Sequence, residues 1–152
     1  MITASDEKIR LQFEKKFNGD EVRFQSTKIV PILNVASQYK VCVENFTHYR
    51  QSEPNIVKYN FYTDLIPVSP TLVNGQQNQT KQLLFEYMLN NYSDNLSSNY
   101  VSYMSTHYYY YGLYSNEPLY QTNLYVTKTD INGNETPLSS GYFCCTLLFE
   151  KK

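Results

Sequence analysis

The sequence predicts an all-β fold, an eight-stranded antiparallel jelly-roll sandwich formed by residues 1–152 as one domain. Three observations predict it. Apolar and polar residues alternate along most of the chain, the period of a strand with one buried face. Turn dipeptides, among them Asn18-Gly19, Asn74-Gly75 and Asn132-Gly133, interrupt these runs. Helical periodicity is confined to one short stretch. The connections are long and unequal, which fits Greek-key crossings better than a meander. Another Greek-key sandwich, of immunoglobulin type, is the alternative, but the chain has no Trp for the Cys…Trp…Cys core of that fold.

The elements follow in order. Met1–Lys8 is a candidate N-terminal arm, a frayed terminus being the other reading. Ile9, Leu11 and Phe13 alternate with Arg10, Gln12 and Glu14. With Asn18-Gly19 and then Val22 and Phe24, residues 8–26 read as a hairpin. Ile29–Leu33 reads as a short strand held to an edge or bulge by Pro31, which has no N–H for a ladder. Tyr39, Val41 and Val43 mark one face of the next strand, and Val57, Tyr59 and Phe61 mark one face of the strand after it. Residues 67–79 read as a loop. Lys81–Asn90 fits a strand or one short helix, and 90–98 is a polar loop. Tyr100–Tyr111, Asn123–Asp130 and Gly141–Glu150 are three further strands, the last strongly apolar.

Composition narrows the function classes. Thirteen Lys and Arg against 14 Asp and Glu give a net charge of −1, which argues against nucleic acid as the main ligand. No apolar run approaches the roughly 18 residues of a membrane span. The first residues carry charge and no apolar run, so no signal peptide is expected. Cys42, Cys144 and Cys145 are then expected as free thiols of a reducing compartment.

Catalytic chemistry has little to work with. His48 and His107 lie 59 positions apart, too isolated for a jelly-roll metal site, and both read as surface or partly buried residues. Cys144-Cys145 is not a chelating pair, because neighbours on a strand point to opposite faces. Asp6-Glu7 and Asp20-Glu21 read as solvated turn residues. No phosphate loop, nucleophile elbow or zinc-helix motif occurs. The expectation is no catalytic residue, no metal and no cofactor.

Tyrosine is the unusual feature. Residues 87–125 hold 11 of the 16. On a strand, Tyr108 and Tyr110 face one way and Tyr109 and Tyr111 the other, so one pair stays exposed unless something covers it. Tyr103, Tyr108, Tyr109, Tyr110, Tyr111, Tyr114 and Tyr120 therefore form the candidate interface or ligand surface. Tyrosine supplies large contact area with few rotors and a polar tip. A β protein that merely uses Tyr as a strand former is the plain alternative.

Two segments carry a resemblance. One is Phe61–Val73 (FYTDLIPVSPTLV) followed by Gln82-Leu83-Leu84. The other runs from Leu124 through Asp130-Ile131-Asn132-Gly133 and Ser140-Gly141 to Cys145-Thr146-Leu147-Leu148-Phe149-Glu150. Together they resemble single jelly-roll capsid proteins, penton (vertex) or minor capsid, of the double-jelly-roll virus lineage: virophages, polinton-like viruses and tailless phages. The resemblance covers about half the chain and transfers no single functional residue. It implies a non-enzymatic virion protein made in the host cytoplasm. Its partners would be copies of itself, as a pentamer, and other capsid proteins. One jelly roll rather than two implies a vertex or minor subunit and not the main tile. The alternative is a β-sandwich module binding a glycan or host receptor, such as a phage tail or fibre component.

Overall fold

The computed structural model describes residues 8–18, 23–27, 33–49, 56–65, 72–73, 76–77, 82–89, 100–104, 110–113, 116–138 and 140–152. Among the described residues are eight main strands: β1 (Lys8–Asn18), β2 (Arg23–Thr27), β3 (Tyr39–Tyr49), β4 (Ile56–Thr63), β7 (Gln82–Met88), β8 (Tyr100–Met104), β10 (Gln121–Asp130) and β12 (Ser140–Lys151). Four short ones accompany them: β5 (Leu72–Val73), β6 (Gln76–Gln77), β9 (Tyr111–Gly112) and β11 (Glu135–Pro137). One sheet runs β1-β12-β3-β8, with β9 pairing the opposite end of β3. The other runs β11-β10-β4-β7, with β2 also pairing β10.

The pairing is nested. Among the eight main strands the first pairs the last (β1·β12), the second the seventh (β2·β10), the third the sixth (β3·β8) and the fourth the fifth (β4·β7). A single long antiparallel ribbon rolled onto itself gives this order, and it is the jelly roll. The roll is closed by β12·β3 in one sheet and β10·β4 in the other. All these pairs are antiparallel, so each sheet can keep one face in the core and one outside.

Sequence parity explains most of the core. Leu11 and Phe13 of β1, Val41 and Val43 of β3, Tyr59 and Phe61 of β4, and Leu124 and Val126 of β10 are buried at period two. One break is instructive. Thr146 pairs Asn45 while Leu147 pairs Val43, so Glu44 is an extra residue, a β-bulge in β3. Odd positions face inward before it; after it Phe46 and His48 do. The bulged Glu44 accepts from Arg10 Nε through both carboxylate oxygens, at 2.9 and 3.0 Å.

The bulge sets the centre of the core. Phe46 lies 5.1 Å from Tyr59, 5.1 Å from Phe61, 5.4 Å from Tyr87 and 5.9 Å from Phe143, ring centroid to centroid. His48 is wholly buried beside it, its Nδ1 2.8 Å from the Tyr59 hydroxyl. The reading of His48 as a surface or partly buried residue is therefore corrected, the unseen bulge having shifted its parity. His107 lies outside the described residues.

Three expectations change. Residues 8–26 are not a hairpin, since β1 joins β12 and β2 joins β10 in the other sheet. Lys81–Asn90 resolves as strand β7, not helix. Tyr100–Tyr111 is not one strand: β8 and β9 pair different ends of β3. Of the short strand expected at Ile29–Leu33, only Leu33 is described, in a bridge to Leu119. Inside the expected loop 67–79, β5 and β6 pair across the two residues Asn74 and Gly75. The β10–β11 turn is held by Asp130 Oδ1, which accepts from the N–H groups of Asn132 (2.9 Å) and Asn134 (3.0 Å). Gly133 takes φ +85° there, where a side chain would be strained.

Candidate functional site

The tyrosines singled out by the sequence go to different places. Tyr103 rests against the core rim, stacked on Phe46 at 5.8 Å and 4.8 Å from Phe85. Tyr110 lies on the outer face of the first sheet. Its hydroxyl donates to Glu150 Oε2, and Lys40 Nζ sits 4.3 Å from its ring centroid. Burial, followed by the neighbouring Glu150 carboxylate, pushes the Tyr110 hydroxyl up from its ordinary value. Tyr111 pairs through its backbone with Val41. Tyr120 is exposed, next to the Leu33–Leu119 bridge. Tyr108, Tyr109 and Tyr114 lie outside the described residues.

Register brings together three other tyrosines. Tyr142 of β12 pairs Tyr49 of β3, and Tyr49 pairs Tyr100 of β8. Directly opposed residues in a sheet share a face, so the three rings form one row. They are 40%, 44% and 57% exposed. The Tyr142 hydroxyl also meets the Glu14 carboxylate of β1.

The next rows on that face continue the character. Cys144, Thr47 and Ser102 are aligned, then Thr146, Asn45 and Met104. None of these residues on β12, β3 and β8 carries a formal charge. Beside these rows, charge enters along β1, as Glu14 opposite Cys144 and Lys16 opposite Tyr142, and farther along the same face stand Glu44, Lys40 and Glu150. A patch rich in Tyr and Met and poor in Lys and Glu has the composition of a protein–protein contact core.

Sequence reasoning missed this row because Tyr49, Tyr100 and Tyr142 stand far apart in the chain. The local signal is that each sits at or near the end of a strand, two steps from the next outward residue (Thr47, Ser102 or Cys144). Nothing in a single strand reveals which strand lies beside it.

The outer face of the second sheet is different. Tyr62 donates to Glu135 Oε1 at 2.6 Å, Thr127 donates to the same oxygen at 2.5 Å, and Lys58 Nζ pairs Glu86 at 2.8 Å. Asn60 Nδ2 donates to Thr127 and Thr129 at 3.2 and 3.1 Å. These groups satisfy one another.

The cysteines fall as strand parity requires. Cys145 is buried, while Cys144 is half-buried on the outer face, 3.9 Å from Gln12 Nε2. Burial pushes the Cys42 thiol up to about 12 and the Cys145 thiol higher still. Both therefore keep their protons at neutral pH and are poor nucleophiles. Among the described residues no group of three His, Cys, Asp or Glu is placed to hold a metal ion. No helix among them is long and apolar enough to cross a membrane.

At the level of sequence, no family model and no curated protein matches the chain. At the level of structure, the chain is similar to the mavirus penton protein, known from a crystal structure. The likeness has a TM-score of 0.70 at 12% identity and covers 96% of this chain and 100% of that one. A chain of the Sputnik virophage particle, known from cryo-EM at 3.5 Å, is matched over 64% of this chain and 30% of its own, with a TM-score of 0.46 at 19% identity. The mavirus likeness is one of fold and extends over nearly the whole chain.

Proposed function

We propose that the chain is a non-enzymatic capsid subunit, a penton that closes into a five-fold ring at the vertices of a virion. The observation that carries this reading is the end-to-end likeness to the mavirus penton protein, with almost nothing of either chain left over. A small cyclic ring needs heterologous contacts, one face of a subunit against a different face of the next. The Tyr-bearing end of the first sheet's outer face, whose rows on β12, β3 and β8 are uncharged, supports the reading as one half of that contact. The self-satisfied polar face of the second sheet makes the molecule two-sided, as a head-to-tail ring needs. Neighbouring capsid proteins around the vertex are the further partners, and the virion is the location.

The buried, protonated state of Cys42 and Cys145 agrees with a structural role, because neither thiol is available as a nucleophile. Light scattering after size exclusion, over a concentration series, tests the proposal. Five chains of 17.9 kDa make a species of about 90 kDa. A trimer would overturn the vertex reading in favour of a fibre or tile role. A monomer at every concentration would overturn self-assembly of the isolated chain.

A further inference from the structure

The large exposed apolar side chains of this molecule are not scattered. Of the seven among the described residues, only Met104 and Tyr120 lie away from the end of the sandwich that carries the tyrosine row. The other five are the three tyrosines of the row, Met88 and Ile131. Single apolar residues on a surface are ordinary, but a gathering at one end is not.

Register sets Met88 and Ile131 level with the row, on the other sheet. His48, next to Tyr49 in β3, reaches across the core, its Nδ1 2.8 Å from the Tyr59 hydroxyl of β4. Lys58, next to Tyr59, pairs Met88 of β7 on one side and Thr129 of β10 on the other. Tyr59 faces the core, so Lys58 and its cross-strand partner Met88 face outward. Ile131 follows two residues after Thr129, in the β10–β11 turn. Met88 is 56% exposed and Ile131 52%.

The turn holds Ile131 in a fixed place. The Gly133 N–H donates to the Asp130 carbonyl and the Asp130 N–H to the Asn134 carbonyl, both at 3.0 Å. Asp130 Oδ1 is taken up by the turn's own N–H groups. A side chain ordered in advance docks at small entropic cost. The nearby charges are also satisfied, since Lys58 Nζ pairs Glu86 at 2.8 Å. This surface can therefore meet an uncharged one without leaving a buried charge unpaired.

Symmetry supplies the occupant. Rotation about a ring axis keeps every atom at its height, so the two unlike halves of a head-to-tail contact lie at the same height on each subunit. The tyrosine row and the Met88 and Ile131 pair meet that condition for an axis running along the strands. We propose that Met88 and Ile131 of one copy pack on the row of Tyr49, Tyr100 and Tyr142 of the next. This rests on the reading of the chain as a ring-forming subunit and names the second half of its contact. Met and Tyr are both enriched in contact cores.

The test compares hydrogen–deuterium exchange of the unaltered full chain, dilute and assembled, at one pH. The expected result is slower exchange on assembly around Met88 and Ile131 together with the backbone around the three tyrosines. Ile131→Asp changes an exposed turn residue and is expected to raise the concentration of half-assembly tenfold or more by light scattering. Tyr120→Asp adds the same charge at the opposite end and is expected to assemble as the parent does. Assembly that protects the tyrosines but not Met88 and Ile131 would overturn this inference alone. So would an equal loss of assembly in the two Asp variants, or none in Ile131→Asp. An unaltered chain that stays monomeric at every concentration would overturn the ring reading, and this inference with it.

Discussion

Replacing Tyr49, Tyr100 and Tyr142 by Thr is expected to uncouple assembly from folding. Threonine keeps the β-branched strand preference and removes the rings. A buried tyrosine contributes roughly 150–250 Å². At 44%, 57% and 40% exposure the row therefore offers about 280 Å² to a partner. Complete burial at about 25 cal/mol per Å² would contribute about 7 kcal/mol. Contact residues are seldom covered completely, so half, about 3–4 kcal/mol per subunit contact, is the working value, or two to three decades in affinity. The fold itself loses less, about 1–2 kcal/mol, because the lost contacts, the cross-strand neighbours and the Tyr142–Glu14 hydrogen bond among them, are exposed. Sedimentation velocity over a hundredfold concentration range reads the first quantity, and urea unfolding followed by Tyr fluorescence reads the second. A triple variant that melts like the parent yet assembles with the same concentration dependence would refute the assignment of this face to the contact.

Other expectations follow from the same geometry. Phe46→Ala empties the centre of the aromatic core and is expected to cost about 3–5 kcal/mol, measured as a shift in the urea midpoint; a loss under 1 kcal/mol would contradict the placement of Phe46. With a thiol reagent at mildly alkaline pH, the folded chain is expected to react quickly at Cys144 alone, and at all three cysteines once unfolded. The Tyr110 hydroxyl hydrogen-bonds with the buried Cys42 thiol, so fast reaction at Cys42 would mean that Tyr110 does not cover it. The raised pKa values of Cys42, Cys145, Tyr62 and Tyr110 fix the sign of the alkaline response. The folded chain keeps protons that the unfolded chain releases. Stability is thus complete below the ordinary thiol value of 9.0 and falls above it, by about 1.4 kcal/mol per pH unit for each buried thiol, while the two tyrosines, partly screened by solvent, add a smaller fall above their ordinary value of 10.0. Cys42→Ala is expected to make that fall shallower, and an unchanged slope would contradict the account. Gly133→Ala meets no atom within 4 Å, so its cost of about 1–2 kcal/mol comes from the φ of +85° alone. A thermal melt unchanged by that substitution would contradict the left-handed turn.

Much of the architecture was legible in the residues. Alternation at 9–13, 39–43, 57–61 and 123–130, with the apolar run at 141–150, placed five of the main strands. What failed was relational. Asn18-Gly19 is hairpin grammar, but in a jelly roll the first strand pairs the last, a contact that turn chemistry cannot encode. The step from Val43 to Phe46, three residues where two would keep parity, is the trace of the Glu44 bulge. It went unread and left His48 on the wrong side. Tyrosine is dense in the sequence between residues 87 and 125. The exposed row came instead from three separate strands aligned by register, while Tyr103 turned to the core rim and Tyr110 to Glu150. Composition singles out tyrosine, and only strand order shows which tyrosines share an exposed row.

The central claim concerns position in a particle, so the most direct measurement is a cryo-EM reconstruction of particles containing this chain, refined locally around the vertex. The account predicts five copies of the jelly roll around each five-fold axis, with the Tyr49, Tyr100 and Tyr142 row buried against the adjacent copy. Density for the chain on the facets, or in a projecting fibre with the vertex occupied by another protein, would contradict it.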